Sequence, residues 1–132
     1  MVVDEIMSPK PVAVEADLTV REALRRLISE DIRHLPVIDD GQLVGMLSDR
    51  DVRGFASDAL SGSEFSEQLN RPVSEAMSSD VVTVDPETEV GEAIDLLIEH
   101  RIGALPVVSD NRLVGILSYV DVLRAARSAL EE

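Results

Sequence analysis

Cysteine is absent from the 132-residue chain, which excludes a disulfide-stapled domain and a thiolate metal centre. Tryptophan is absent too, and one Tyr and two Phe make up all the aromatics. Any core must therefore be aliphatic, and an apolar content of 45% is enough to build one. No apolar run approaches the roughly 20 residues of a membrane helix. The start, Met1-Val2-Val3-Asp4-Glu5, lacks the basic segment and apolar stretch of a signal peptide, so a cytoplasmic protein is expected. Basic residues are scarce: 12 against 26 acidic, a net charge of −14, with Lys10 the one lysine. A surface of that sign repels phosphate backbones and argues against nucleic-acid binding. Catalytic signatures are missing as well. His34 and His100 stand far apart in no HExxH pattern, and there is no GxSxG, Walker or GxGxxG segment, so neither an enzyme nor a metal site is expected.

What is present is a duplication. Sliding the chain by 70 positions aligns residues 7–55 with 77–125 without a gap, giving 21 identities in 49 positions. The best blocks are LPVIDDGQLVGMLSDRDV from Leu35 and LPVVSDNRLVGILSYVDV from Leu105. Residues 56–75, rich in Ser, Gly and acid, read as a linker. The organisation expected is a first repeat with its N-terminal segment over 1–60, a linker over 61–75, and a second repeat with a C-terminal helix over 76–132.

Each copy follows the same local grammar. Residues 11–14 and 81–84 alternate and are β-branched, predicting strands. Thr19-x-x-Glu22 is a capping box opening a helix. Val20, Ala23, Leu24, Leu27 and Ile28 then follow the spacing of one buried helical face, echoed by Val90, Ala93, Ile94, Leu97 and Ile98. The second copy lacks the capping box, because Glu89 stands in place of Thr19. Residues 35–38 and 43–47 predict two short strands joined by Asp39-Asp40-Gly41-Gln42, a hairpin turn in which Gly supplies the left-handed position. Ser109-Asp110-Asn111-Arg112 is its counterpart. A second helix is predicted to start near Ser48, and near Ser118 in the other copy. A unit of about 50 residues buries too little surface to stand alone. The expected fold class is therefore α/β, with two β-α-β-β-α repeats packed with pseudo-two-fold symmetry into one module.

This pattern resembles a tandem pair of CBS domains (the cystathionine β-synthase type), or Bateman module. The resemblance is carried by Met7-Ser8 and Met77-Ser78, by the central LPV, and by Gly45-Met46-Leu47-Ser48-Asp49-Arg50-Asp51 with Gly115-Ile116-Leu117-Ser118-Tyr119-Val120-Asp121. It implies a regulatory module that dimerises and binds adenosine-type ligands (AMP, ADP, ATP or S-adenosylmethionine) in clefts between the repeats, with a role in energy sensing. No cofactor is required in that reading; the nucleotide is a regulatory ligand. An effector protein, not identifiable from the sequence, would receive the signal.

The candidate site residues carry two readings each. Ser48 with Asp51, and Ser118 with Asp121, have the spacing of a helix cap. The same residues suit a ligand: a carboxylate accepts from both hydroxyls of a ribose, and a helix start with a hydroxyl suits a phosphate. The resemblance further implies a phosphate clamp of Arg33, His34 and Arg50, and guanidinium forks fit phosphate well. In the second copy Gly103, Ala104 and Val120 replace these three, so the clamp exists once. The Asp121 cleft is then expected to take an uncharged group, to bind weakly, or to stay empty. Ile32 and Ile102 are candidates for an apolar adenine wall, with the Gly103 backbone and Thr83 beside them. Leu96 and Leu123 are expected to be exposed apolar positions for a partner subunit. An alternative reading is a protein-interaction scaffold whose clefts are vestigial. The charge also divides unevenly: residues 6–55 carry 9 acidic and 7 basic groups, whereas 76–125 carry 9 and 3.

Overall fold

The computed structural model describes residues 1–57 and 62–131 of the chain. It is an α/β protein whose contacts divide into two compact units: Val12–Val81, and Met1–Pro11 together with Val82–Glu132. The chain thus passes from one unit to the other at two places. The expected boundary between residues 60 and 61 lies outside the described residues.

In the unit Val12–Val81, strand β2 (Val14–Glu15) pairs parallel with β3 (His34–Asp39), and β3 pairs antiparallel with β4 (Gln42–Ser48). Helix α1 (Val20–Ser29) connects β2 to β3; α2 (Asp49–Ser57) follows β4. The opposite edge of β4 is completed by a two-way backbone exchange between Met46 and Ser78, 2.9 Å in each direction. In the other unit, β1 (Ser8–Pro9) pairs antiparallel with β6 (Arg112–Ser118), and β6 with β5 (Ala104–Ser109). Val84 bridges β5 in parallel, α4 (Val90–His100) precedes β5, and α5 (Tyr119–Leu130) follows β6.

Turn chemistry fixes both hairpins. Asp40 and Gly41 have φ of 53° and 79°, and Asp110 and Asn111 have 52° and 65°. Two successive positive φ values define the two-residue turn whose twist matches that of paired strands. Each hairpin has a bulge at the same place, between Val37 and Ile38 and between Val107 and Val108.

Each unit has its own aliphatic core. Leu35, Val37 and Leu47 are fully buried in one, with Val20 and Ala23 from α1; Leu105, Val107 and Leu117 are fully buried in the other, with Ala93 from α4. A short 3₁₀ turn also feeds each core. Val73, in the turn Val73–Glu75, is fully buried in the first, and Val3, in the turn Val3–Glu5, in the second.

Several expectations need correction. The strands predicted over 11–14 and 81–84 shrink to β2 and to the single bridge at Val84. Ala16 N–H extends the first ladder by donating to the Ile38 carbonyl (3.0 Å). Pro86 occupies the matching position of the second copy and has no N–H to give, so pairing stops there. Ile28 and Ile98 are not part of the buried helical faces, being 71% and 69% exposed. The buried arc centres on Ala23 and Leu27, and on Ala93 and Leu97; at 100° per residue, the last Ile of each series rotates out of it. Leu96 is half-buried against the second core rather than exposed, whereas Leu123 is exposed. The linker contains helix α3 (Gly62–Leu69), which buries Leu69 in the first core. The Arg21 guanidinium donates to Ser66 Oγ (3.3 Å) and Asn70 Oδ1 (3.4 Å), tying α1 to this segment. Thr19 Oγ1 caps α1 by accepting from Glu22 N–H (3.2 Å), and Glu89 gives α4 no side-chain cap.

Candidate functional site

The site residues are gathered by the end of a hairpin. Asp31 and Arg101 have φ of 52° and 53°, a left-handed residue that ends each helix and turns the chain back. Ile32 and Ile102 follow, each donating its N–H to a carbonyl of the preceding helix and packing half-buried against its core. Across the hairpin His34 lies opposite Ser48, and Ala104 opposite Ser118. Asp49 N–H donates to the Arg33 carbonyl (3.1 Å), as Tyr119 N–H does to that of Gly103 (3.0 Å). Ile32, Arg33 and His34 are thereby held beside Ser48, Arg50 and Asp51. In the other unit Ile102 and Gly103 are held beside Ser118 and Asp121. Thr83 is exposed next to the Val84 bridge.

Both aspartates complete the capping pattern. Ser48 N–H donates to Asp51 Oδ2 (2.9 Å), and Asp51 N–H to Ser48 Oγ (3.0 Å). Ser118 N–H donates to Asp121 Oδ2 (2.9 Å), and Asp121 N–H to Ser118 Oγ (3.3 Å). The capping explanation is therefore correct for both copies, and it leaves the second carboxylate oxygen, Oδ1, for another donor.

That donor is the serine of the Met-Ser pair, whose role the sequence did not reveal. Ser78 Oγ donates to Asp51 Oδ1 (3.3 Å), and Ser8 Oγ to Asp121 Oδ1 (3.1 Å). The serine comes from the opposite copy in sequence: Ser8 belongs to the first repeat yet serves the aspartate of the second, and Ser78 of the second serves that of the first. The preceding Met is wedged over a glycine. A Cβ at Gly45 would collide with the Met77 sulfur and lie 3.0 Å from the Ser78 carbonyl oxygen.

Charge separates the two arrangements. Arg33 and Arg50 are exposed, and neither forms an ion pair among the described residues. Arg50 and Asp51 also line an open groove of about 640 Å³ with Arg53, Gly54, Phe55 and Glu75. His34 is partly buried, and burial holds its pKa below the ordinary 6.5, against the pull of Asp49 and Asp51 and with a small push from Arg33. The unfolded chain then binds a proton more readily at this position. The sign follows: stability is intact above pH 6.5 and is lost as pH falls through that value toward the lower folded one. A series of thermal melts from about pH 8 to about pH 5 is expected to show this loss, and His34→Gln to flatten it. An unchanged slope in that variant would assign the loss to other groups.

Among the described residues no cluster of His, Asp and Glu suits a metal ion, and no helix is long and apolar enough to cross a membrane.

Comparison with known proteins agrees with this architecture. The chain is 32% identical over 120 residues to the CBS domain-containing protein YhcV of Bacillus subtilis (strain 168), covering 91% of this chain and 81% of that one. Against inosine-5'-monophosphate dehydrogenase of Methanocaldococcus jannaschii it is 33% identical, but spans just 23% of that enzyme. Among solved structures, CBSX2 in complex with AMP superposes with a TM-score of 0.85 at 32% identity, covering 97% of both chains. The CBS domain pair of MJ0100, in complex with 5'-methylthioadenosine and S-adenosyl-L-methionine, gives 0.81 at 27% identity, covering 98% of both. The CBS domain pattern itself matches twice, over residues 3–58 and 73–128. Each match takes in one hairpin, one capped aspartate and one Met-Ser pair, and the chain belongs to the CBS domain family.

Proposed function

We propose that the chain is a regulatory module that binds an adenosine-type ligand and transmits its occupancy through a change of shape or oligomeric state. The observation that carries this reading is the half-exposed Asp51 carboxylate at the start of α2, beside two exposed guanidiniums that form no ion pair among the described residues. The carboxylate accepts from the ribose hydroxyls. Arg33 and Arg50 take the phosphate, with His34 alongside. Ile32 supplies an apolar wall for the base. The ligands bound by CBSX2 and MJ0100 are all adenosine derivatives, which supports the same class here. In this reading the protein is cytoplasmic, is not itself an enzyme, forms a homodimer and acts on an effector protein. The ligand shifts the population between two states by its differential affinity for them.

Titration calorimetry with AMP, ATP, S-adenosylmethionine and adenosine tests the assignment. Hydrogen bonds to a charged group contribute about 1.5–3 kcal/mol, so Asp51→Asn is expected to weaken AMP binding by about 10- to 100-fold. Arg33→Ala with Arg50→Ala should weaken AMP but leave adenosine nearly unchanged. Nucleotide binding that survives the double Arg variant and is lost in Asp121→Ala overturns the clamp. The exposed Tyr119, Val120 and Leu123 on α5 favour a second reading, an interaction scaffold with vestigial clefts. It prevails if no adenosine compound raises the melting temperature at millimolar concentration, because a ligand of the folded state must stabilise it.

A further inference from the structure

The two capped aspartates are not equivalent as acceptors. Asp121 is 7% exposed and is the one buried charged residue among those described. Its Oδ2 accepts from Ser118 N–H (2.9 Å) and from Ser118 Oγ (3.1 Å), its Oδ1 accepts from Ser8 Oγ (3.1 Å), and the Arg124 guanidinium stands 3.8 Å away. Asp51 is half-exposed. It has one bond to Oδ2 from Ser48 N–H and one longer bond to Oδ1 from Ser78 Oγ (3.3 Å). The serines differ in the same sense. Ser118 spends its hydroxyl proton on Asp121, whereas Ser48 Oγ only accepts, from Asp51 N–H, and keeps its proton for an incoming oxygen. No arginine among the described residues forms an ion pair with Asp51 as Arg124 does with Asp121; Arg53, one position before the match to Arg124, lines the groove instead.

We infer that each chain holds one nucleoside ribose, at Asp51, and that Ser8, Ser118 and Arg124 close the Asp121 carboxylate against a second. The inference rests on the adenosine reading above and deepens it. A ribose diol needs two free lone-pair positions on a carboxylate. Asp51, with one bond on each oxygen, offers them as it stands. Asp121 already accepts three hydrogen bonds and offers a second position only if Ser8 or the Ser118 hydroxyl is given up in a nearly dry environment, where lost hydrogen bonds cost most. Gly103, Ala104 and Val120 supply no cation to offset that loss.

Calorimetry on the intact chain reads the stoichiometry. One adenosine or AMP per chain is expected, weakened about 10- to 100-fold in Asp51→Asn and unchanged in Asp121→Asn. Ser8→Ala combined with Arg124→Ala is expected to raise the adenosine stoichiometry from one to two. Methyl NMR of the wild-type chain gives a readout that needs no variant to fold: on saturation with adenosine the Ile32 resonances shift while those of Ile102 stay in place. Two equivalents bound by the wild type, or movement of Ile102, overturn this inference and leave the adenosine reading standing. A wild type that binds none of the four adenosine compounds overturns both.

Discussion

Deleting residues 1–11 is expected to unfold the half of the molecule that is farther along the chain and to leave the nearer half folded. Val3 is fully buried in the core built from residues 82–132. Around it, Val3 N–H donates to the Thr88 carbonyl (2.8 Å), Asp4 N–H to that of Pro86 (2.9 Å), and Val90 N–H to that of Met1 (2.9 Å). Ser8 and Pro9 cover the edge of β6, and Ser8 Oγ holds Asp121. Burying a Val contributes about 1.5–3 kcal/mol, and each backbone hydrogen bond about 1 kcal/mol. The deletion therefore removes on the order of 5 kcal/mol, as much as the whole stability of many small domains. The unit Val12–Val81 loses nothing equivalent, because Val73 fills the matching place in its core. Hydrogen exchange is the direct measurement. Amides of β5 and β6 should lose protection while those of β3 and β4 keep it. Equal loss in both hairpins would mean that the N-terminal segment supports the two units alike.

The second large effect is expected at Gly45. A Cβ there meets the Met77 side chain and the Ser78 carbonyl oxygen, the latter at 3.0 Å. The Met can swing aside, but the carbonyl is held by Met46 N–H at 2.9 Å and cannot move without breaking the edge pairing. Gly45→Val fills this space with a branched side chain, and overpacking of that kind costs about 3 kcal/mol. The same shift pulls Ser78 from Asp51, and the melting temperature should fall with it. Met77→Ala should recover part of the loss and leave the part owed to the backbone, a coupling that a double-mutant cycle measures. Gly54 is the contrasting case. It lies inside α2, and a methyl group added there would meet nothing within 4 Å, so Gly54→Ala should stabilise by about 0.5–1 kcal/mol. A harmless Gly45→Val would mean that the Met-Ser segment is free to move away.

What the sequence made legible was local. Both hairpins, their turns and the capped starts of α2 and α5 follow from Gly and Asn at left-handed positions and from Ser and Asp three residues apart. Those signals act within a few residues and survive any packing. The helical faces were legible except at their ends: Ile28 and Ile98 fit the spacing, but a buried arc narrower than the apolar stripe leaves them in solvent. The partner of each site aspartate was not legible. Alignment of the copies places Ser8 with Asp51 and Ser78 with Asp121, and the hydrogen bonds run the other way. Repeat period records which residues are alike, not which of two identical sockets a segment occupies. The length of the first strand was hidden for a simpler reason, since Pro86 matters through the one N–H it lacks. The positions of Arg33, His34 and Arg50 were expected together and are together, because the hairpin that joins them is among the local features.

The passage of the chain between units has a consequence for the order of events during synthesis. Residues 12–81 form one contiguous stretch and have every partner of their core as soon as they emerge. The first eleven residues leave the ribosome earliest and find theirs last, because Val3 needs α4 and the β5–β6 hairpin. At roughly 10 residues per second of translation, the interval is on the order of ten seconds. During it Val2, Val3, Ile6 and Met7 have no core to enter. The closure of that long loop, rather than either hairpin, is the step expected to limit the rate at which the finished chain acquires its second core.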